Sequence, residues 1–521
     1  MNRPIRKVAV ALGVLLAAIF VNINFVQVVK NNAYDNTDKY ADNRLPILAE
    51  YSSPRGQIDV QGTAIAKSVS TTDELKYLRV YADGPIYAPA TGFNSIVYGT
   101  DGIESAKDKV LSGTDPRQFS RKIADLFTGR NPHGGSVELT LNKAAQQAAY
   151  DAMRTSGGTL RRGAVVALDP TTGAILALVS TPSYDPNKLS SHDSASIARY
   201  YQTLQNDPAQ PMLDRALKQT YAPGSVFKVI VSAAALRDGV KPDQQVPAPN
   251  GFWPFHDHTG ACPNDPASSC VENFNGETCQ NGTTATLSFA FAKSCNTAFA
   301  SLAVDKLKGA KVAAEASLFG FDGDPLSVPI SVAHSTVGTA SDLSDPGSLA
   351  HSSFGQQDVR MSPLQAAMIA AAVANNGSLM TPFLVRQDLS SNFSVLSQTS
   401  PTQMAQVLDP TLDQELQQMM VGVVENPEGT GGAARITDLQ GVTVGGKTGT
   451  ADTGIFKNGK QTPPHAWFSG FAMQGGQPRI AVAVIIENGG VNGNETTGGL
   501  AAAPVAKAVM EAYLRSTTAG H

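Results

Sequence analysis

The sequence predicts an α+β fold: an antiparallel sheet of about five strands between helical groups, with an all-helical insertion, an elongated amino-terminal region and one membrane anchor. Three observations carry this. Two short apolar runs joined by a glycine-containing turn (163–180), and further runs at 443–450, 467–472 and 480–487, read as strands. Apolar residues at helical spacing occupy 225–238, 287–307, 362–375 and 499–514, so helices and strands are grouped instead of alternating one for one. The amino terminus places Arg3, Arg6 and Lys7 before an apolar run from Val8 to Val29.

That run is purely apolar only to Val21, signal-peptide length, and Asn22, Asn24 and Gln27 are costly in hydrocarbon. With them it approaches the roughly 20 residues that span a bilayer, and no small-x-small cleavage site follows at the right distance. The expectation is a retained anchor, its basic end in the cytoplasm and the bulk of the chain outside. Residues 1–30 are assigned to the cytoplasmic tip and anchor, 31–150 to an amino-terminal pedestal, 151–515 to a larger domain and 516–521 to a tail. The pedestal mixes basic and acidic residues (Arg117, Arg121, Lys122, Asp125). Arg55-Gly56-Gln57-Ile58 opens a short extended stretch in it, and no catalytic constellation is visible. Lys143 to Met153 reads as a helix leading into the larger domain, and Asp169 as a turn residue between the first two strands. At 521 residues the chain has about three domains' worth of length, and 42% apolar with 16% charged residues is a globular composition. A net charge of −4 gives no electrostatic case for nucleic acid.

Chemistry concentrates in three short motifs, in order: Ser225-Val226-Phe227-Lys228, Ser294-Cys295-Asn296 and Lys447-Thr448-Gly449-Thr450. Each alone is weak; the ordered set is specific. Pro223-Gly224 turns the chain and an apolar helical pattern follows, so Ser225 starts a helix, where free N–H groups and the positive dipole end favour negative charge. Lys228 lies one turn on, on the same face, as a base for a hydroxyl that is otherwise a poor nucleophile. Burial and a nearby cation such as Lys447 lower a lysine's pKa enough for that task. Ser294 and Asn296 project from a tight turn between two helical runs, the hydroxyl to shuttle a proton and the amide to hold a peptide carbonyl; the bland alternative is helix capping. Lys447 to Thr450 lie in a strand whose glycines let another backbone approach, with Thr448, Thr450 and the Lys447 charge suited to a substrate carboxylate.

Four cysteines, Cys262, Cys270, Cys279 and Cys295, lie close together in a chain expected outside the cytoplasm, which favours disulfides. Three connectivities are open. The Pro/Asp/Ser-rich segment from Cys262 to Cys270 reads as a loop closed on itself, leaving Cys279 with Cys295; that pairing is the expectation. His256-x-His258 beside Cys262 suggests zinc only faintly, because the spacing is irregular. Trp253 and Trp467 read as core or cleft wall, and Glu425, Glu428 and Gly429 to Gly432 as a loop at the cleft rim. The eight histidines are scattered and support no Ser-His-Asp triad.

With these motifs the chain resembles the class B, monofunctional penicillin-binding proteins, peptidoglycan D,D-transpeptidases, and most of all their A-type members in actinobacteria. The likeness runs from the anchor to about Leu514. It includes Asn24-Phe25-Val26-Gln27-Val28-Val29, Arg55-Gly56-Gln57-Ile58, Pro223-Gly224-Ser225, Ser294-Cys295-Asn296-Thr297-Ala298-Phe299 and Pro463-Pro464-His465-Ala466-Trp467. The resemblance implies the penicillin-binding serine-transferase fold, a pedestal like the family's dimerisation domain, and an acyl-enzyme on Ser225 formed with release of a terminal D-alanine. It also implies an oxyanion hole from the N–H groups of Ser225 and Thr450, acylation by β-lactams, and no metal or cofactor. Implied partners are peptidoglycan stem peptides, a multi-spanning glycan polymerase and division or elongation proteins. A D,D-carboxypeptidase or β-lactamase-like hydrolase is the alternative. A β-lactam sensor would want more membrane segments, a silent scaffold would not need the motif set, and about 130 residues before the larger domain leave no room for a glycosyltransferase.

Overall fold

The computed structural model describes residues 12–19, 50–118, 133–155, 157–263, 268–457, 460–490 and 493–518. The chain divides into a small unit, Met1–Ser52 with Thr72–Lys76, and a large unit, Ser53–Thr71 with Tyr77–His521. In the small unit, 12–19 form a helix whose apolar side chains, Leu12, Val14, Leu15, Leu16 and Ile19, are exposed. The rest of the expected anchor, 8–11 and 20–29, lies outside the described residues, as do Arg121, Lys122 and Asp125. Among the described residues no helix is long and apolar enough to cross a membrane.

The large unit is built on a five-stranded antiparallel sheet in the order Val442–Ala451, His465–Gln474, Gln477–Ile486, Gly163–Leu168, Ile175–Thr181. Its central strands are apolar without alternation because both faces are covered. Ala164, Val166, Leu168, Ala481, Ala483 and Ile485 join one core with the wholly buried helix Pro363–Ala374. Val165, Ala167, Val482 and Val484 point the opposite way and join a second core with Ala506, Val509 and Met510 of the carboxy-terminal helix Ala503–Thr518. Asp169 makes the first hairpin turn, accepting from Thr171 N at 2.9 Å. The later strands run past their apolar stretches because pairing sets their ends: Val442 pairs with Gln474, and Gln474 with Gln477.

A second sheet has six strands, Val395–Gln398, Val385–Leu389, Ser136–Leu139, Ile58–Val60, Thr63–Ser70 and Tyr77–Tyr81, with only the Ser136–Leu139/Ile58–Val60 pair parallel. Its first two strands come from far along the chain, so residues near 390 complete the sheet begun near 58. Beneath it Glu104, fully buried, accepts from Arg55 Nε and Arg79 Nε, both at 2.6 Å, and from the Tyr81 hydroxyl at 3.0 Å. Two guanidiniums outweigh the burial that pushes the Glu104 pKa up, and hold it below the usual carboxylate value. Among the longer helices without a counterpart in the sequence reading are Ser194–Asn206, Lys308–Leu318 and Pro410–Glu425. For the last, Asp409 caps the N–H groups of Thr411 and Leu412 and Pro410 opens the helix, a start signal present in the sequence.

Candidate active site

Residues Gly224–Phe227 form a 3-10 turn that passes into the α-helix Lys228–Arg237. A 3-10 turn eclipses residues three apart, so Ser225 and Lys228 share one side more closely than α geometry would place them. The turn lies against the edge strand Val442–Ala451 through two glycines. Gly224 has φ +54°, and a Cβ there would stand 2.7 Å from Thr450 O; a Cβ on Gly449 would stand 2.7 Å from Pro223 O. Only bare backbone on both sides brings the Ser225 and Thr450 main chains this close.

The chain just before this turn is tied down. Tyr221 donates its hydroxyl to Glu487 Oε1 at 2.7 Å, and Trp467 Nε1 donates to Ala222 O at 3.0 Å. Glu487 also takes Arg215 Nε at 2.8 Å and Arg162 Nη2 at 2.9 Å. Burial pushes the Glu487 carboxyl up, but these donors outweigh it and keep it below its ordinary value. Trp467 is thus wall and core, as the sequence suggests, while Tyr221, Arg215 and Glu487 escape sequence reading because their partners lie far apart along the chain.

Ser294 ends the helix Leu287–Lys293 with φ +66° and Asn296 begins the helix Asn296–Ser301. A left-handed serine is uncommon, and here it turns the hydroxyl back between two lysines. Lys228 Nζ donates to Ser294 O at 2.7 Å, Asn296 Oδ1 at 2.8 Å and Ser294 Oγ at 3.3 Å; Lys447 Nζ reaches the same Oγ at 2.8 Å and Thr448 O at 3.1 Å. The expected contact between Lys228 and the Ser225 hydroxyl is not among these bonds. Asn296 Nδ2 donates one hydrogen to Glu272 O at 3.1 Å. Cys295, between the two polar residues, is bonded to Cys279, and Cys262 to Cys270. His256 meets Asp305 at 2.9 Å, and Trp253, half-buried, donates to Gly260 O at 3.3 Å.

Both lysines are fully enclosed and packed over rings, Lys228 over Phe299 and Phe354, Lys447 over Phe291. Burial lowers Lys228 far below the ordinary lysine value, and the Lys447 charge lowers it further; burial brings Lys447 down to about 7. Above them opens a cleft of about 1020 Å³ whose walls include Ser225, Ser294, Asn296, Thr448 and Thr450. The nucleophile candidate faces the cleft, and the two lysine amino groups form a buried floor. The glycine loop after Glu428 supplies Thr430, whose hydroxyl lies 2.5 Å from that of Thr448 on the cleft wall. An edge strand with alternate backbone groups unpaired, a hydroxyl, two low-pKa lysines and hydroxyl-lined space together make an acyl-transfer site for an extended, carboxylate-ended chain.

The chain as a whole is similar to known proteins. A family model described as the penicillin binding protein transpeptidase domain matches residues 163–511, and one described as the penicillin binding protein A dimerisation domain matches residues 55–137. The chain is 43% identical over 520 residues to a peptidoglycan D,D-transpeptidase PbpA of Mycolicibacterium smegmatis, covering 99% of each chain. It is 39% identical over 515 residues to the protein of that name from Mycobacterium tuberculosis, again covering 99% of each. Among solved structures it is similar to penicillin-binding protein A from M. tuberculosis in its penicillin G acyl-enzyme complex, with 40% identity, a TM-score of 0.80, and coverage of 89% of this chain and 100% of that one. The ordered motifs, the sheet they sit on and the extent of these matches make the chain a member of the penicillin-binding protein family, with that family's transpeptidase domain and class B organisation.

Proposed function

We propose that this protein cross-links peptidoglycan as a D,D-transpeptidase by an acyl-enzyme on Ser225, and that β-lactams acylate the same hydroxyl. The observation that carries the residue assignment is the unbroken hydrogen-bonded path Lys228–Ser294–Lys447 under the nucleophile turn. Ser225 Oγ attacks the carbonyl between two terminal D-alanines of a stem peptide, and neutral Lys228 takes its proton. The N–H groups of Ser225 and Thr450 receive the oxyanion, at about 2.7–4 kcal/mol per donor in a comparable hydrolase. When the C–N bond breaks, Ser294 and Lys447 pass the proton to the departing D-alanine. Lys447, Thr448 and Thr450 hold that residue's carboxylate; Gly449 keeps the strand close to the turn, and Asn296 holds the peptide amide. An amine of a neighbouring stem peptide then attacks the ester, restoring Ser225 and closing the cross-link.

We further infer that residues 8–29 anchor the chain in the membrane with the catalytic domain outside the cytoplasm. The two disulfides fit an oxidising compartment. Division into anchor (1–30), pedestal (31–150), transpeptidase domain (151–515) and tail (516–521) belongs to the same reading. So do the partners the family resemblance implies, a multi-spanning glycan polymerase and division or elongation proteins.

Intact-mass measurement with penicillin tests the core of this. Wild type gains one penicillin mass, mapping to Ser225, and Ser225→Ala gains none while keeping its melting temperature. Equal labelling of the variant refutes the nucleophile; rapid loss of the adduct with turnover of penicillin shows a hydrolase instead.

A further inference from the structure

A substrate that ends in a carboxylate, as the proposed reaction requires and as this inference assumes, enters a cleft whose charged lining is mostly acidic: Glu272, Glu277 and Asp452. His351, also on the wall, is pushed toward its neutral form by burial. Lys228 and Lys447 are fully enclosed and are not among the lining residues. Lys447 directs its donors beneath the surface, to Ser294 Oγ at 2.8 Å and Thr448 O at 3.1 Å. With burial bringing it down to about 7, it is uncharged for much of the time at neutral pH. Among the described residues of the cleft wall one lysine or arginine remains, Lys293.

Lys293 is the last residue of the helix Leu287–Lys293 and directly precedes Ser294. It lies at the end of the cleft where Thr448 stands. Thr430 N donates to Ala292 O at 3.3 Å, and the Thr430 hydroxyl is 2.5 Å from that of Thr448, so Ala292, Thr430 and Thr448 form one contiguous run. Lys293 Nζ is shared by two acids, Glu277 Oε2 at 3.2 Å and Glu428 Oε2 at 4.0 Å, whose side chains are 52% and 61% exposed. Ion pairs this open to water hold weakly, and a carboxylate seated among the cleft hydroxyls competes with them for the ammonium. A lysine here also complements the helix dipole, which accounts for its charge but not for its place on the cleft wall. We propose that Lys293 is a carboxylate-binding residue of this site: its ammonium leaves Glu277 and Glu428 and pairs, beside Thr430 and Thr448, with the terminal carboxylate of the stem peptide or with that of a β-lactam. Lys447 supports the same carboxylate from beneath.

A penicillin and its methyl ester, which lacks the negative charge, test this on the full chain in detergent. The acylation rate of each is measured by competition with a fluorescent penicillin, corrected for the probe's own rate on the same protein, and the acid rate is divided by the ester rate. That ratio cancels damage common to both compounds, including any shift of the adjacent Ser294 turn. Wild type should favour the acid, and Lys293→Gln should cut that preference about tenfold, the size of one charge-assisted contact. Lys293→Arg should keep most of it, and Glu277→Gln, which frees the ammonium, should keep or raise it. A wild-type preference in Lys293→Gln overturns the proposal even if both rates fall, because the lysine then only supports the turn. So does a preference in Glu277→Gln lowered as far as in Lys293→Gln, which would make the ion pair itself the requirement. A wild type that reacts equally with acid and ester overturns it together with the carboxylate role of Thr448, and one that neither compound acylates at Ser225 removes the transpeptidase reading itself.

Discussion

Lys447 and Lys228 are both fully buried beside one serine, which makes their proton occupancy the variable that governs the site. Neutral Lys228 is the reactive form, so acylation should fall as pH drops through its lowered pKa and hold above it. A profile of penicillin acylation against pH, with the acid limb far below the ordinary lysine range, checks this; a limb near 10 contradicts it. Stability follows the same groups. Lys447 titrates near 7 when folded and near 10.5 when unfolded, so between those values the unfolded chain binds more protons and stability rises with pH. Lys447→Met should therefore melt at or above wild type below pH 7, with its advantage shrinking from pH 7 to 10, while losing activity. Thr448→Ala, by removing one hydroxyl from the carboxylate site, should slow acylation by carboxylated β-lactams about tenfold or more with little change in melting temperature. Equal rates would exclude that role.

The nucleophile turn, the Ser-x-Asn turn and the edge strand are separate elements held at contact distance by small features. Gly449→Ala puts a methyl 2.7 Å from Pro223 O and 3.0 Å from Trp467 Cβ, neither of which is free to move. It should cost about 1–3 kcal/mol and cut acylation sharply by moving Ser225 from Thr450, as chemical denaturation and penicillin kinetics will report. The Cys279–Cys295 bond spans 16 residues and pins the Ser294 turn. Replacing both cysteines by alanine should cost about 3 kcal/mol in the chain-entropy model, and non-reducing peptide maps of the native protein should contain this bond and Cys262–Cys270. Free thiols at all four positions would contradict the oxidised arrangement.

Across the large unit, the sheet begun at Ile58–Val60 ends with strands from residues 385–398, and Lys107 Nζ reaches Asp388 Oδ2 across that junction at 3.1 Å. A fragment starting at residue 151 would leave Val385–Leu389 without the Ser136–Leu139 strand and expose an open edge. It should be less soluble and melt lower than one starting at residue 53. Glu104→Ala leaves buried Arg79 without its carboxylate and Arg55 with only Asp108, and should cost about 3–5 kcal/mol. Urea titration measures the loss, and the penicillin acylation rate of the folded fraction tells whether it stays confined to that region.

The strands of the five-stranded sheet, the helices at 228–237 and 363–374, and the three motifs were all legible along the chain, because apolar period, turn residues and short motifs are local properties. The α+β class follows from them, the resemblance carried by the motifs implies the penicillin-binding family fold, and family matches over 163–511 and 55–137 agree. What the chain hides is everything that depends on distant segments meeting. Arg55 gives no sign that Glu104 awaits it, nor Tyr221 that Glu487 does, and a lone apolar stretch near 385 does not announce that its partner is at 136. The motifs named Lys228 and Lys447 as a pair. Only the packed structure decided that both are enclosed with no carboxylate partner among the described residues and joined through one left-handed serine, because desolvation and hydrogen-bond geometry exist only once the surrounding elements have closed over them.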